Sequence, residues 1–209
     1  MCFSAHSSFA AAATVSLLGI ASLKRSSPHT RMIAATPLLF GLQQASEGFT
    51  WLALTGKIST DILSYSVILF LTCAFILWPL WVPYAMLQAE NNLRARKGLA
   101  ICLGAGVLIA IILGYILFVL GVSATNISHH IEYTLKLPCE ISYASAVSYT
   151  IPTILPFFIS SHTIMRVLGS LLLLSYIAAA YMWFAAFTSV WCFFAAVISS
   201  AIYFIIPKL

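Results

Sequence analysis

Charge is what this chain has least of. Only 7% of its 209 residues are charged, and just five are acidic. An average soluble domain is about a quarter charged, and its exterior needs that polar cover. So low a content excludes an ordinary soluble fold and points to lipid as the solvent. Cysteine is sparse too. The five present are scattered, with no Cys-x-x-Cys pair, which excludes a disulfide-rich scaffold, a thioredoxin-type site and a zinc ribbon. No stretch is polar enough for a soluble domain, a linker or a low-complexity tail, and no internal repeat is evident. Positive charge does not precede the first apolar run, so a cleavable signal peptide is not expected.

What is present is apolar. Hydrophobic residues make up 62% of the chain, and the mean hydropathy is +1.02. A spanning helix needs about 20 apolar residues, and seven such runs can be drawn: Ser7–Leu23, Met32–Leu54, Ile62–Leu87, Gly98–Val122, Ile141–Ser160, Ile164–Phe187 and Thr188–Ile206. The last two are separated only by Thr188 and Ser189, yet together they are too long for one crossing. The expected fold is therefore an all-α integral membrane protein, one bundle of seven transmembrane helices over residues 1–209.

Loop charges orient it. On the side of the C-terminus lie Lys24, Arg25, Arg31, Arg94, Arg96, Lys97, Arg166 and Lys208, against Lys57 and Lys136 opposite. Cytoplasmic loops are enriched in Lys and Arg. The expectation is an N-terminus outside, a C-terminus in the cytoplasm and a multi-pass protein of the cell membrane. The net charge of +5 is then a topology signal, and no nucleic-acid partner is expected. Trp51 and Trp191 are expected at the outer interface, Trp78 and Trp81 near the inner one. Pro79 and Pro83 should kink the third helix, and Pro152 and Pro156 should bend the fifth. Ala195-x-x-x-Ser199 and Ala196-x-x-x-Ser200 suit close helix packing. His162 and Arg166 read as lipid-facing or topology-setting.

Glu47 is the one acid inside a predicted span, where a carboxylate is costly and faces the bundle interior or a wet cavity. Gln43, Glu47 and Trp51 share a helix face by their i, i+4, i+8 spacing, with Gln44 beside them. Glu47 is a candidate acid–base catalyst, metal ligand or packing residue. In the loop Ser128-His129-His130-Ile131-Glu132-Tyr133, His129 and His130 are candidate metal ligands, and His130 a candidate proton carrier. If that segment is helical, His130 and Tyr133 lie one turn apart. Cys2 and His6, i and i+4, would suit a soft metal such as zinc or copper. Cys2 and Cys192 fall on one oxidising face, where a disulfide would staple the terminus to the last helix. Cys139 is the competing partner. Asn126-Ile127-Ser128 matches a glycosylation sequon.

The opening Met1-Cys2-Phe3-Ser4-Ala5 is followed by Pro37 and the Gln-Gln-x-x-Glu-Gly-x-x-Trp motif of residues 43–51. With His-His-Ile-x-Tyr at 129–133 and Trp191-Cys192, it resembles a bacterial family of uncharacterised integral membrane proteins. The resemblance covers nearly the whole chain and implies a compact multi-spanning protein, but no reaction. Its motif residues are Cys2, Gln44, Glu47, Trp51, His130, Tyr133 and Cys192, all placed near the outer face by the expected topology.

A pocket there is expected to use Gln43, Gln44, Trp51, Tyr133 and Trp191 for a small hydrophobic ligand or lipid, as a sensor or binding protein would. The alternative is a membrane-embedded, metal-dependent hydrolase or transferase working through Glu47 and His130. A transporter is a further alternative, weakened by the scarcity of intramembrane charge. A retinal protein is disfavoured, because no lysine lies within the last span.

Overall fold

Ser4 accepts the Ser7 N–H and so starts α1, Ala5–Arg25. This is an N-cap, where a hydroxyl satisfies a donor the helix leaves free. The computed structural model describes residues 4–127, 130–135 and 147–209, and most of these are helical. A turn at residues 26–30 leads into α2, Arg31–Leu54. Then come α3, Thr60–Thr72, a π turn at Cys73–Leu77, and α4, Trp78–Ala89. Next is α5, Leu93–Tyr115, which closes in a second π turn at Ile116–Leu120. Strands β1, Val122–Ile127, and β2, His130–Leu135, pair antiparallel from Val122↔Leu135 to Ile127↔His130. Residues 147–153 form α6, followed by α7, Leu155–Ile159, and α8, Thr163–Met182. A 3-10 turn at Phe184–Ala186 leads to α9, Phe187–Ser199, and α10, Ile202–Ile205.

Five helical stretches are long and apolar enough to cross a membrane: Ala5–Arg25, Thr60–Ala89, Leu93–Leu120, Thr163–Met182 and Phe184–Lys208. They carry large apolar side chains outward, such as Leu17, Ile101, Ile111, Leu174 and Phe204, as lipid-facing helices do. The expected second and fifth spans correspond to α2 and to α6 with α7. In α2 the polar residues between Gln43 and Thr50 dilute the apolar run.

Two apolar clusters mark the two ends. One gathers Ile33, Met86, Leu99, Met165 and Ile205, from the start of α2, the end of α4, the starts of α5 and α8, and α10. Lys24, Arg25, Arg31, Arg94, Arg96, Lys97, Arg166 and Lys208 all fall in the helix ends and turns beside it. The other cluster gathers Trp51, Ile131, Ala179, Val190 and Trp191, with Ala5 and Tyr133 packed against it. These are the cationic end and the hairpin end.

The helices approach closely through glycine. An added Cβ on Gly41 would stand 2.0 Å from Ser16 Oγ, and one on Gly106 would stand 2.0 Å from the Pro79 carbonyl oxygen. Pro79, Pro152 and Pro156 stand beside breaks in regular α-helix, whereas α4 runs on through Pro83. Pro79 has no N–H, and the turn before it widens so that the Trp78 N–H donates to the Cys73 carbonyl. This leaves the Ala74 carbonyl without a helical donor, and the Tyr149 hydroxyl of α6 supplies one. Pro152 and Pro156 flank Ile154, where α6 breaks from α7.

Three expectations are corrected. Residues 122–127 and 130–135 pair as antiparallel strands, so the described chain is not wholly helical. Their β-branched Val122, Thr125, Ile127, Ile131 and Thr134 favour strand, and Gly121, at φ 82°, turns the chain out of the preceding helix. The break between the last two long helices falls at Trp183, whose φ −138° and ψ 51° leave the helical region. Thr188 and Ser189 stay helical, and the Ser189 hydroxyl finds its acceptor on another helix. Finally, Trp51, Trp78 and Trp191 are buried in core clusters and do not form an interfacial belt.

Candidate functional site

The polar residues of α2 point inward as a block. Gln43, Gln44 and Thr50 are fully buried, and Ser46, Glu47 and Trp51 are at most 5% exposed. Buried in this way, each polar atom depends on hydrogen bonds. Gln43 is fully engaged. Its Oε1 accepts the Trp78 indole N–H at 2.7 Å, and its Nε2 donates to the Phe70 carbonyl and the Cys192 sulfur, both at 3.4 Å. Trp78 is further held by stacking on Phe40, with ring centroids 4.0 Å apart. Glu47 Oε1 accepts the Ser189 hydroxyl of α9 at 2.5 Å. Thr50 lies 3.1 Å from the Ser46 carbonyl and 3.0 Å from Ser66 Oγ of α3.

The neighbouring groups are not engaged in this way. Gln44 approaches the Glu47 carboxylate, but among the described residues neither of its amide atoms reaches hydrogen-bond geometry. The same holds for the buried Tyr133 hydroxyl, which comes close to Thr50, and for the Trp191 indole N–H. Tyr133 lies flat against Phe70 at 5.0 Å. Trp191 meets Tyr176 edge-on at 5.1 Å and Phe187 face-on at 5.8 Å. Trp191 and Cys192 also line an apolar cavity of about 60 Å³ with Phe40, Trp78, Tyr149 and Ala195. The polar block and the apolar cavity thus share the walls Trp78, Trp191 and Cys192.

Gln43, Glu47, Trp51, Tyr133, Trp191 and Cys192 therefore converge, as do Ala5 and Ile131 of the flanking motifs. His130 lies on β2, where residues three apart face opposite sides of the strand, so it does not share a helical face with Tyr133. Its ring stands edge-on to Trp183 at 6.0 Å. His6 is exposed in the first turn of α1. Among the described residues no three of His, Cys, Asp and Glu are grouped to hold a metal ion. Cys2, His129 and Cys139 lie outside the described residues. Cys192 carries a free, buried thiol, and of the expected Cys2–Cys192 bond only this end is described.

A second buried carboxylate was not singled out by the sequence reading. Glu90, 1% exposed, follows α4 at the cationic end. It accepts the Asn92 N–H (2.9 Å), the Ser161 N–H (2.8 Å), and the hydroxyls of Ser161 (2.6 Å) and Ser160 (3.1 Å). Burial pushes its carboxyl up, but these hydrogen bonds together outweigh burial and bring it from 4.5 down to about 2. The lowered value fixes the sign of a pH effect. The stability Glu90 adds is complete above pH 4.5 and is lost as pH falls toward 2. Glu90→Ala should cost about 3 kcal/mol at pH 7, typical of hydrogen bonds to a charged group, and should flatten the acid limb between pH 4.5 and 2. Thermal melts against pH would show it. A variant as acid-sensitive as the parent would refute the assignment.

Ser189 and Trp78 were also missed as site residues. Ser189 is one turn before Cys192, on the same helix face, and that spacing was a usable signal. Nothing local in the sequence distinguishes a tryptophan that donates to Gln43 from one at an interface. A family model described as a family of unknown function, DUF6629, matches residues 1–208 of the chain. No curated protein and no solved structure matches it.

Proposed function

Since the chain belongs to this family, whose function is unknown, we propose from its own geometry that it binds a small amphipathic ligand inside the membrane. In this reading the chain spans the inner membrane seven times, with the hairpin end outside and the cationic end in the cytoplasm. The polar part of the ligand meets Gln44, Tyr133 and Trp191 beside Glu47, and its apolar part enters the cavity that Trp191 also lines. The protein then serves as a sensor or binding protein. One observation carries the reading. Buried polar atoms in native proteins are nearly always paired, yet four of them, on Gln44, Tyr133 and Trp191, have no protein partner. They gather around the motif of α2, and the absence of a completed hydrogen bond holds among the described residues.

The test follows from the cost of such atoms. Leaving a buried donor or acceptor unpaired costs about 1–3 kcal/mol. Gln44→Leu, nearly isosteric, should therefore stabilise ligand-free protein in detergent by about 2 kcal/mol. It should also remove any small-molecule adduct seen by native mass spectrometry of the parent protein. A Gln44→Leu variant that melts lower than the parent would sink the proposal, because Gln44 would then be an ordinary structural residue.

A further inference from the structure

The cationic end holds a feature that the ligand reading does not use. Glu90 ties the Ser160–Ser161 turn to the start of α5, so two helix-initiating turns lie side by side. Between them opens a cavity of about 490 Å³, lined by Asn92, Arg94, Phe158, Ser160, Ser161 and Arg166. Both arginines therefore face one space. Among the described residues neither has a carboxylate partner. Arg166 donates only to the Ser161 carbonyl, at 3.4 Å. Glu90 forms no ion pair with either arginine among the described residues; its oxygens accept from Asn92, Ser160 and Ser161. Two guanidinium groups without a carboxylate partner thus line one cavity, and their planar donor forks suit phosphate oxygens.

The surroundings say which phosphate. Arg94 and Ile101 are seven residues apart and share a face of α5. Ile101 is 73% exposed, and Phe158, on the cavity wall, is 38% exposed. An added Cβ on Gly104 would meet nothing within 4 Å. Below the cationic cavity there is thus a bare apolar surface on a helix long enough to cross a bilayer. A free phosphate ion would use only the upper half of this arrangement, whereas a phospholipid would use both. Basic pockets between helices at the cytoplasmic surface are recognised sites for anionic lipid headgroups.

We propose that the cavity between the Asn92–Ala95 and Phe158–Arg166 segments binds the phosphate of an anionic phospholipid, with Arg94 and Arg166 as its ligands and the acyl chains against Phe158 and Ile101. The assignment is independent of the ligand site at the hairpin end.

The full-length protein in non-ionic detergent would be titrated separately with phosphatidylglycerol, phosphatidylcholine and inorganic phosphate. Melting temperature and native mass spectrometry would be the readouts. Phosphatidylglycerol should raise the melting temperature and give a one-to-one adduct, and phosphatidylcholine should do neither. Arg94→Gln with Arg166→Gln should weaken phosphatidylglycerol binding about thirtyfold, on the scale of two cationic side chains at a membrane surface. Lys97→Gln, which removes a nearby charge outside the cavity, should leave it within about threefold. Equal responses to the two lipids, or equal losses in the Lys97 and double-arginine variants, would overturn the site. Displacement of the lipid adduct by millimolar inorganic phosphate would overturn the lipid assignment. Glutamine keeps the stem of these exposed arginines, and the unliganded melting temperatures of the variants would show that they fold.

Discussion

Gly106→Ala should be among the most damaging single-methyl changes in this chain, costing about 3 kcal/mol or more. The added Cβ would stand 2.0 Å from the Pro79 carbonyl oxygen, 2.9 Å from the carbonyl carbon and 3.2 Å from Pro152 Cβ. Two of these atoms are backbone, so no rotamer change relieves them. The Pro79 carbonyl cannot retreat into its own helix either. Its usual donor would be residue 83, and Pro83 has no N–H. The carbonyl therefore faces α5, and only glycine leaves room for it. Gly104, one half-turn away on the same helix, meets nothing within 4 Å. Gly104→Ala should instead stabilise by up to about 1 kcal/mol, the helix-propensity difference. Melting curves and size-exclusion profiles of the two variants would separate the effects. A Gly106→Ala protein that melts with the parent would contradict the close α4–α5 contact.

The second large effect is at Gln43. Gln43→Leu removes the acceptor of the Trp78 N–H and the donor to Phe70 and Cys192. A buried indole N–H left unpaired, together with the lost bonds, should cost about 2–4 kcal/mol. The residue next to it should respond with the opposite sign, since among the described residues Gln44 completes no hydrogen bond that could be lost. Two identical side chains, adjacent in sequence and equally buried, thus separate structural polarity from polarity kept for another purpose. Unfolding midpoints for Gln43→Leu, Gln44→Leu and the double variant would decide it. Loss of stability in both single variants would show that Gln44 is as structural as Gln43.

The sequence was most legible where the signal was long. Apolar runs predicted the five stretches able to cross a membrane, to within a few residues at most ends. The face Gln43–Glu47–Trp51 was legible because a helix repeats its facing residues every three to four positions. The hairpin was not, because one polar loop with two histidines fits a helical turn as well as a strand until its neighbours are known. The break at Trp183 was hidden for a related reason. Serine and threonine read as turn residues in isolation, yet Ser189 is satisfied by Glu47, 142 residues away. Glu90 was invisible as a structural centre because the groups that hold it, Ser160 and Ser161, follow it by some 70 positions.

The same long separation bears on how the protein is made. Glu47 is synthesised with α2, but its hydroxyl partner follows 142 residues later. At roughly 5–20 residues per second, the carboxyl group waits about 7–28 s for it. The bundle therefore cannot finish its centre helix by helix. The Glu47 carboxyl must be sheltered by other groups until α9 has been made.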